Sequence, residues 1–168
     1  MRHNARLFQI LPAALLIAAV VAVAQSGLRT GENFKEQPTA TELQPDNREL
    51  IRPDDLAKSL QSSTAKPAIF NVGPRLIYVQ AHIPGAEFIG PTSSPQGLET
   101  LRTHAASLPR NSLLVIYCGC CPWEHCPNIR PAYKELKQMG FTRLKVLYLP
   151  NSFGTDWVEK GYPVQKGE

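Results

Sequence analysis

The 168-residue sequence carries little net charge, and its C-terminal two thirds lack internal repeats and low-complexity tracts. The formal net charge is +4, and Arg2 and Arg6 supply two of the positive charges, so about +2 remains for the rest of the chain. That excess is too small to argue for a nucleic-acid partner. With 43% hydrophobic and 19% charged residues, the composition also excludes collagen, coiled-coil and wholly disordered proteins. One soluble domain of ordinary size is expected.

Cysteine is missing from almost the whole chain. All four cysteines fall within nine residues, at Cys118, Cys120, Cys121 and Cys126. A disulfide between any two of them would close only a small loop and would remove little entropy from the unfolded chain. We therefore do not expect these cysteines to form structural disulfides. Their clustering instead indicates thiol reactivity or metal binding.

Only the N-terminus contains a long uncharged run. Two arginines precede residues 7–24, which contain no charge and end in the small residues Ala-Val-Ala that signal peptidase requires. We expect residues 1–24 to be a signal peptide and residues 25–48 to be a polar, flexible linker. This predicts a periplasmic or secreted protein without membrane contact after cleavage, whereas an uncleaved segment would anchor it in the membrane.

Residues 49–168 alternate predicted strands with predicted helices. Apolar runs predict buried strands at 68–72, 113–117 and 144–149. Apolar residues three and four apart predict helices at 98–108 and 129–139, and a shorter one begins near Pro53. Strands that alternate with helices predict an α/β domain with a parallel sheet and helices on both of its faces.

Four stretches of residues 50–164 resemble the rhodanese-like family of sulfurtransferases in order and spacing. They are Ile-Phe-Asn-Val at 69–72, His-Ile-Pro-Gly-Ala at 82–86, Val-Ile-Tyr-Cys at 115–118, and Asp-Trp followed by Gly-Tyr-Pro-Val at 156–164. The resemblance implies a rhodanese-like fold. It also implies that Cys118 is the catalytic cysteine and that His82 holds its turn by hydrogen bonding.

The chain departs from the family at two places. Asn71 and Gly73 stand where the family has the acid and the arginine of Asp-Val-Arg, so the family's buried salt link is missing. Residues 119–129 also form a longer loop between Cys118 and Arg130 than the family has. The expected fold survives both departures, but the role of Cys118 depends on how this loop is built.

Sulfur transfer requires a thiolate that takes up a sulfane sulfur and holds it as a persulfide. Backbone N–H groups of a loop and the start of the following helix can lower a thiol pKa and stabilise the persulfide anion. We predict a sulfurtransferase that moves sulfur from a donor such as thiosulfate to a thiol or cyanide through a Cys118 persulfide. Arg130 would hold the anionic donor. The predicted partners are small sulfur compounds, and no cofactor is expected.

The remaining loop residues leave alternatives open. Those predicted to bind substrate or shape the loop are Gly119, Cys120, Cys121, Trp123, His125 and Cys126. The C-x-x-C spacing of Cys118 and Cys121 is typical of thiol-disulfide redox proteins. A non-catalytic module that binds a persulfide or a metal is the other alternative, and its soft ligands would be Cys118, Cys120, Cys121, His125 and Cys126.

Overall fold

A computed structural model of the chain describes residues 44–61 and 66–168. It contains a five-stranded parallel sheet with helices on both faces, which confirms the predicted fold class. The predicted signal peptide at 1–24 and most of the predicted linker at 25–48 lie outside the described residues. Within the described part, no helix is long and apolar enough to cross a bilayer.

Strands and helices alternate along the described chain. The strands are β1 (Leu50–Ile51), β2 (Ala68–Asn71), β3 (Glu87–Phe88), β4 (Leu113–Tyr117) and β5 (Arg143–Leu147). The helices are α1 (Pro53–Gln61), α2 (Arg75–Gln80), α3 (Pro95–Ala106) and α4 (Ile129–Gln138), with a 3₁₀ turn at Trp123–His125 and a π-helical turn at Gly154–Val158. The predicted strands and helices are all present, and β1, β3 and α2 are additional short elements.

The sheet order is β1-β5-β4-β2-β3, so β4 is the central strand. It pairs with β2 on one side, with Asn71 opposite Tyr117, and with β5 on the other. Because every pairing is parallel, the carboxyl ends of β2, β4 and β5 lie at the same edge of the sheet. Residues that follow β4 therefore begin at the centre of that edge, where α/β proteins place their ligand sites.

Alternate side chains of the strands point to opposite faces and form two apolar layers. Phe70, Ile116 and Val146 pack on the side covered by α3 and α4. Ile69 and Val115 pack on the other side, with α1, α2 and the turn Gly154–Val158. Burial on both faces explains why the strands read as continuous apolar runs rather than as alternating ones.

The His-Ile-Pro-Gly-Ala turn is fastened by hydrogen bonds. His82 is 1% exposed and stacks on Tyr78, and its Nδ1 lies 2.9 Å from the Tyr78 carbonyl oxygen, which makes Nδ1 the protonated nitrogen. The backbone of His82 also pairs with Gln165 in both directions. His82 thus has the structural role that the resemblance implies.

Gly73 lies so close to the end of β4 that it has no room for a side chain. A Cβ atom at this position would lie 2.4 Å from the carbonyl oxygen of Cys118 and 3.0 Å from its Sγ. The Gly73 N–H instead donates to the Asn71 side-chain oxygen at 3.0 Å. Glycine therefore replaces the family's arginine at a point where two backbones touch.

We predict that Gly73→Ala lowers the free energy of unfolding by about 1–3 kcal/mol, because the new methyl group must displace the Cys118 backbone. Urea denaturation of the reduced protein measures the change. Gly154→Ala is the matched control, because a Cβ there would meet only the Ser152 Oγ, at 3.6 Å, and it should change stability by less than about 0.5 kcal/mol. Equal effects of the two substitutions would refute the steric argument.

Candidate functional site

The chain makes a sharp turn directly after β4. Gly119 follows Cys118 with a φ of +86°, a conformation that favours glycine. A Cβ atom on Gly119 would lie 2.8 Å from the Cβ of Phe153, and the Gly119 carbonyl accepts a hydrogen bond from the Phe153 N–H at 3.1 Å. This contact fixes the direction in which the cysteine loop, residues 118–128, leaves the sheet.

Backbone hydrogen bonds fold the cysteine loop back against the sheet edge. The Trp123 N–H donates to the Leu149 carbonyl at 3.0 Å, which fastens the loop to the segment after β5. The Cys126 N–H then donates to the Trp123 carbonyl at 3.2 Å and closes the 3₁₀ turn. As a result, Cys126 returns to the neighbourhood of Cys118 although eight positions separate them in the sequence.

The four thiols share one small region. The Sγ atoms of Cys118, Cys120 and Cys126 all lie within 4.8 Å of one another. The Cys120 Sγ lies 3.2 Å from the Cys118 Sγ and also 3.2 Å from the Cys121 Sγ. Cys118 and Cys126 are buried, with 3% and 1% exposure, whereas Cys120 and Cys121 are half-buried. The sulfur atoms therefore form a continuous path from the interior to the surface.

Asn128, which the sequence analysis did not single out, connects the thiols to the rest of the domain. It is 4% exposed, and its Nδ2 donates to the Cys118 Sγ at 3.4 Å. Its side-chain oxygen accepts from the Ser93 N–H at 3.0 Å, and its carbonyl accepts from the Thr92 hydroxyl at 2.6 Å. An Asn just before a predicted helix suggests a helix cap, but nothing in the sequence reveals its contact with Cys118.

The two buried cysteines divide the thiolate charge unevenly. The pKa of Cys126 is lowered to about 6, first by its interaction with the Cys118 thiol and also by the backbone N–H groups of Asn128 and Ile129 at the start of α4. The same interaction, together with burial, raises the pKa of Cys118. Burial and the neighbouring thiols raise the pKa of Cys121 to about 12. Cys118 also receives donors, from the Cys120 backbone N–H and the Asn128 side chain, so donors for an anion face both buried sulfurs.

The other predicted site residues lie on the outer side of the cysteine loop. Trp123, His125 and Arg130 border a cavity of about 290 Å³, together with Glu124 and Ile129. Arg130 is exposed, and its Nη2 donates to the Glu124 carbonyl at 3.4 Å. The structure therefore separates the predicted residues into a thiol cluster and a cavity that Trp123, His125 and Arg130 border.

The sequence matches no protein-family model and no curated protein, but the fold has relatives among solved structures. The rhodanese-like domain of the Alr3790 protein from Anabaena sp. has a TM-score of 0.52 and 21% identity, over 70% of this chain and 79% of that one. The BH2092 protein from Bacillus halodurans has a TM-score of 0.54 and 20% identity, over 70% and 76% of the two chains.

A structure of EanB with hercynine is also similar, with a TM-score of 0.52 and 22% identity. The match covers 70% of this chain but 27% of EanB, so it concerns one part of that larger protein. At these identities the similarity is one of fold. The similarity to these structures, the parallel sheet order and the position of Cys118 after the central strand together show that this chain has the rhodanese-like fold.

Proposed function

We propose that this protein is a sulfurtransferase that carries sulfane sulfur as a persulfide on Cys118. The observation that carries the proposal is the position of the Cys118 thiol, at the carboxyl end of the central strand of a rhodanese-like fold, with a second thiol 3.2 Å away. A buried thiol with another thiol in contact suits the storage and onward transfer of a single sulfur atom.

The reaction needs no cofactor, because every step exchanges one bond for another. A cysteine sulfur attacks the outer sulfur of a donor such as thiosulfate, the sulfur–sulfur bond of the donor breaks, and sulfite leaves with the electron pair. A thiol or cyanide then attacks the outer sulfur of the persulfide and releases the cysteine thiolate. Cys126, which lies within 4.8 Å of Cys118, is placed to accept the Cys118 proton when its sulfur attacks.

Burial of Cys118 determines how sulfur reaches it. At 3% exposure its side chain offers almost no surface to a donor, whereas Cys120 and Cys121 are half-buried. Sulfur taken up by Cys121 or Cys120 passes inward by thiol–persulfide exchange, in which the attacking thiol gains the outer sulfur and the previous carrier regains its proton. Cys120 is the intermediate carrier, because its Sγ lies 3.2 Å from both neighbours.

Arg130 and His125 are suited to recognise the donor. Both border the cavity of about 290 Å³ on the outer side of the cysteine loop. The guanidinium of Arg130 presents several N–H donors and uses one of them on the Glu124 carbonyl, so others remain for a sulfonate or carboxylate. This supports the predicted role of Arg130 in holding an anionic donor, although no cysteine lines the cavity itself.

Disulfide exchange is the second candidate function, and the short distance between Cys118 and Cys120 favours it. The sequence suggested the C-x-x-C pair of Cys118 and Cys121, but the structure places Cys120 between these two sulfurs. A redox protein would cycle through a disulfide that a dithiol substrate reduces. A sulfurtransferase would instead gain the mass of one sulfur atom on treatment with thiosulfate.

We predict that Cys118→Ser lowers thiocyanate formation from thiosulfate and cyanide by about 10³-fold and leaves at most a short-lived persulfide on Cys120 or Cys121, because the buried final carrier is lost. A colorimetric thiocyanate assay and intact mass spectrometry measure the two effects. The variant should retain the unfolding midpoint within a few degrees, which excludes misfolding as the cause. Full turnover with the added sulfur still present in Cys118→Ser would eliminate the proposal.

We also predict the order in which the thiols of the reduced, native protein react with iodoacetamide. Cys120 and Cys121 should be modified first and Cys118 and Cys126 last, since the two buried sulfurs offer the reagent almost no surface. Peptide mapping over a time course gives the order, and the same reaction in denaturant is the control in which the differences should largely disappear. Modification of Cys118 ahead of Cys120 and Cys121 would contradict inward relay of sulfur.

A further inference from the structure

We infer that Cys118, Cys120 and Cys126 form a binding site for a soft monovalent metal ion, Cu(I). Among the described residues, these three form the one group of three or more cysteine, histidine or acidic side chains whose ligand atoms are close enough together to share a metal ion. The inference goes beyond the proposed sulfur transfer, and it does not depend on it.

The distances between the sulfurs suit a metal with three ligands. Metal–thiolate bonds of about 2.3 Å place the sulfurs of a flat three-coordinate site about 4 Å apart. The Cys118, Cys120 and Cys126 sulfurs already lie within 4.8 Å of one another. The contact of 3.2 Å between Cys118 and Cys120 would have to widen by about 0.8 Å, which is a small rotation of one half-buried side chain.

The number of ligands distinguishes Cu(I) from Zn(II). Zinc in structural sites almost always takes four ligands, whereas three thiolates satisfy Cu(I), and soft thiolates favour it. Cys121 contacts Cys120 and also interacts with Cys126, but it does not belong to the set of ligand atoms that all lie within 4.8 Å of one another. His125 is exposed and also lies outside that set. Of the five soft ligands that the sequence offers, the structure thus brings three together.

The surroundings suit a low-coordinate soft ion. Cys118 and Cys126 belong to the apolar core on the α4 side of the sheet, where Ile129 also packs, so water and hard oxygen ligands are largely excluded. Three thiolates and one Cu(I) leave two negative charges. N–H donors from the Asn128 side chain and from the backbone at the start of α4 face these sulfurs and would stabilise that charge.

Metal binding and sulfur loading would exclude each other. Cu(I) displaces the thiol protons to solvent as it binds, without a change of oxidation state. It occupies the Cys118 lone pair that would attack a sulfur donor. A copper-loaded protein should therefore pass no sulfur to Cys118 until a Cu(I) chelator removes the metal, although Cys121 can still react with the donor.

The test is an anaerobic titration of the reduced full chain with Cu(I), in competition with the chromophoric chelator bathocuproine disulfonate. One Cu(I) per chain should be held. Cys120→Ser should weaken binding by at least ~100-fold, since even changes outside the ligand shell cost 10–100-fold at metal sites. Cys121→Ser is the matched control, because it removes the neighbouring thiol at the same depth but no ligand, and it should weaken binding by no more than about tenfold.

X-ray absorption at the copper edge gives a second readout, and it should show three sulfur neighbours and no nitrogen. Three results would overturn the inference: no retention of Cu(I) against the chelator, equal losses in Cys120→Ser and Cys121→Ser, or tighter binding of Zn(II) with Cys121 as a fourth ligand. None of these bears on sulfur transfer, because the thiocyanate assay on metal-free protein tests that proposal separately.

Discussion

Burial of the two ends of the cysteine loop, at the end of β4 and at the start of α4, is the constraint on which the site depends. Cys118 ends the central strand, and Cys126 and Asn128 lead into the helix that covers the same face of the sheet. Because Gly73 and Gly119 both lie in close contact with neighbouring residues, the backbone around Cys118 has little freedom. Four thiols therefore occupy a space that an ordinary loop would leave to solvent.

Such a cluster cannot hold four thiolates without a counterion, because buried like charges raise one another's pKa. The interaction between the two buried thiols, aided at Cys126 by backbone donors at the start of α4, lowers the pKa of Cys126 and raises the pKa of Cys118. A single shared charge among several sulfurs suits two kinds of occupant: an extra sulfur atom or a soft cation. Both proposals follow from this one arrangement, and they differ in what replaces the thiol proton.

The fold could be predicted from the sequence because its elements are strongly patterned. The run at Leu113–Tyr117 is too apolar for an exposed segment, and the apolar face of Ile129–Gln138 repeats at helical spacing. The short elements β3 and α2 could not be predicted, since two and six residues carry too little pattern and α2 has no side-chain cap. Their form depends on the neighbours that they pack against.

The site could be predicted only in part. Clustering identified the cysteines, and the end of an apolar strand identified Cys118. The C-x-x-C spacing suggested Cys121 as its partner, but that spacing brings two sulfurs together only where the chain enters a helix at once, and here Gly119 turns it elsewhere. Cys120, rather than Cys121, therefore places its sulfur in contact with the Cys118 sulfur. The contact of Asn128 with Cys118 depends on the course of the whole loop, which no local pattern encodes.

The central claim is that Cys118, Cys120 and Cys126 form one cluster in solution. Phenylarsine oxide tests this most directly, because trivalent arsenic is held tightly only by two or more thiols within bonding distance of one atom. In Cys121→Ser, which lacks the adjacent pair at 120 and 121, the account predicts one tightly held arsenical per folded chain, released by a dithiol. Three thiols that react one by one with monothiol reagents, without retention of the arsenical, would contradict it.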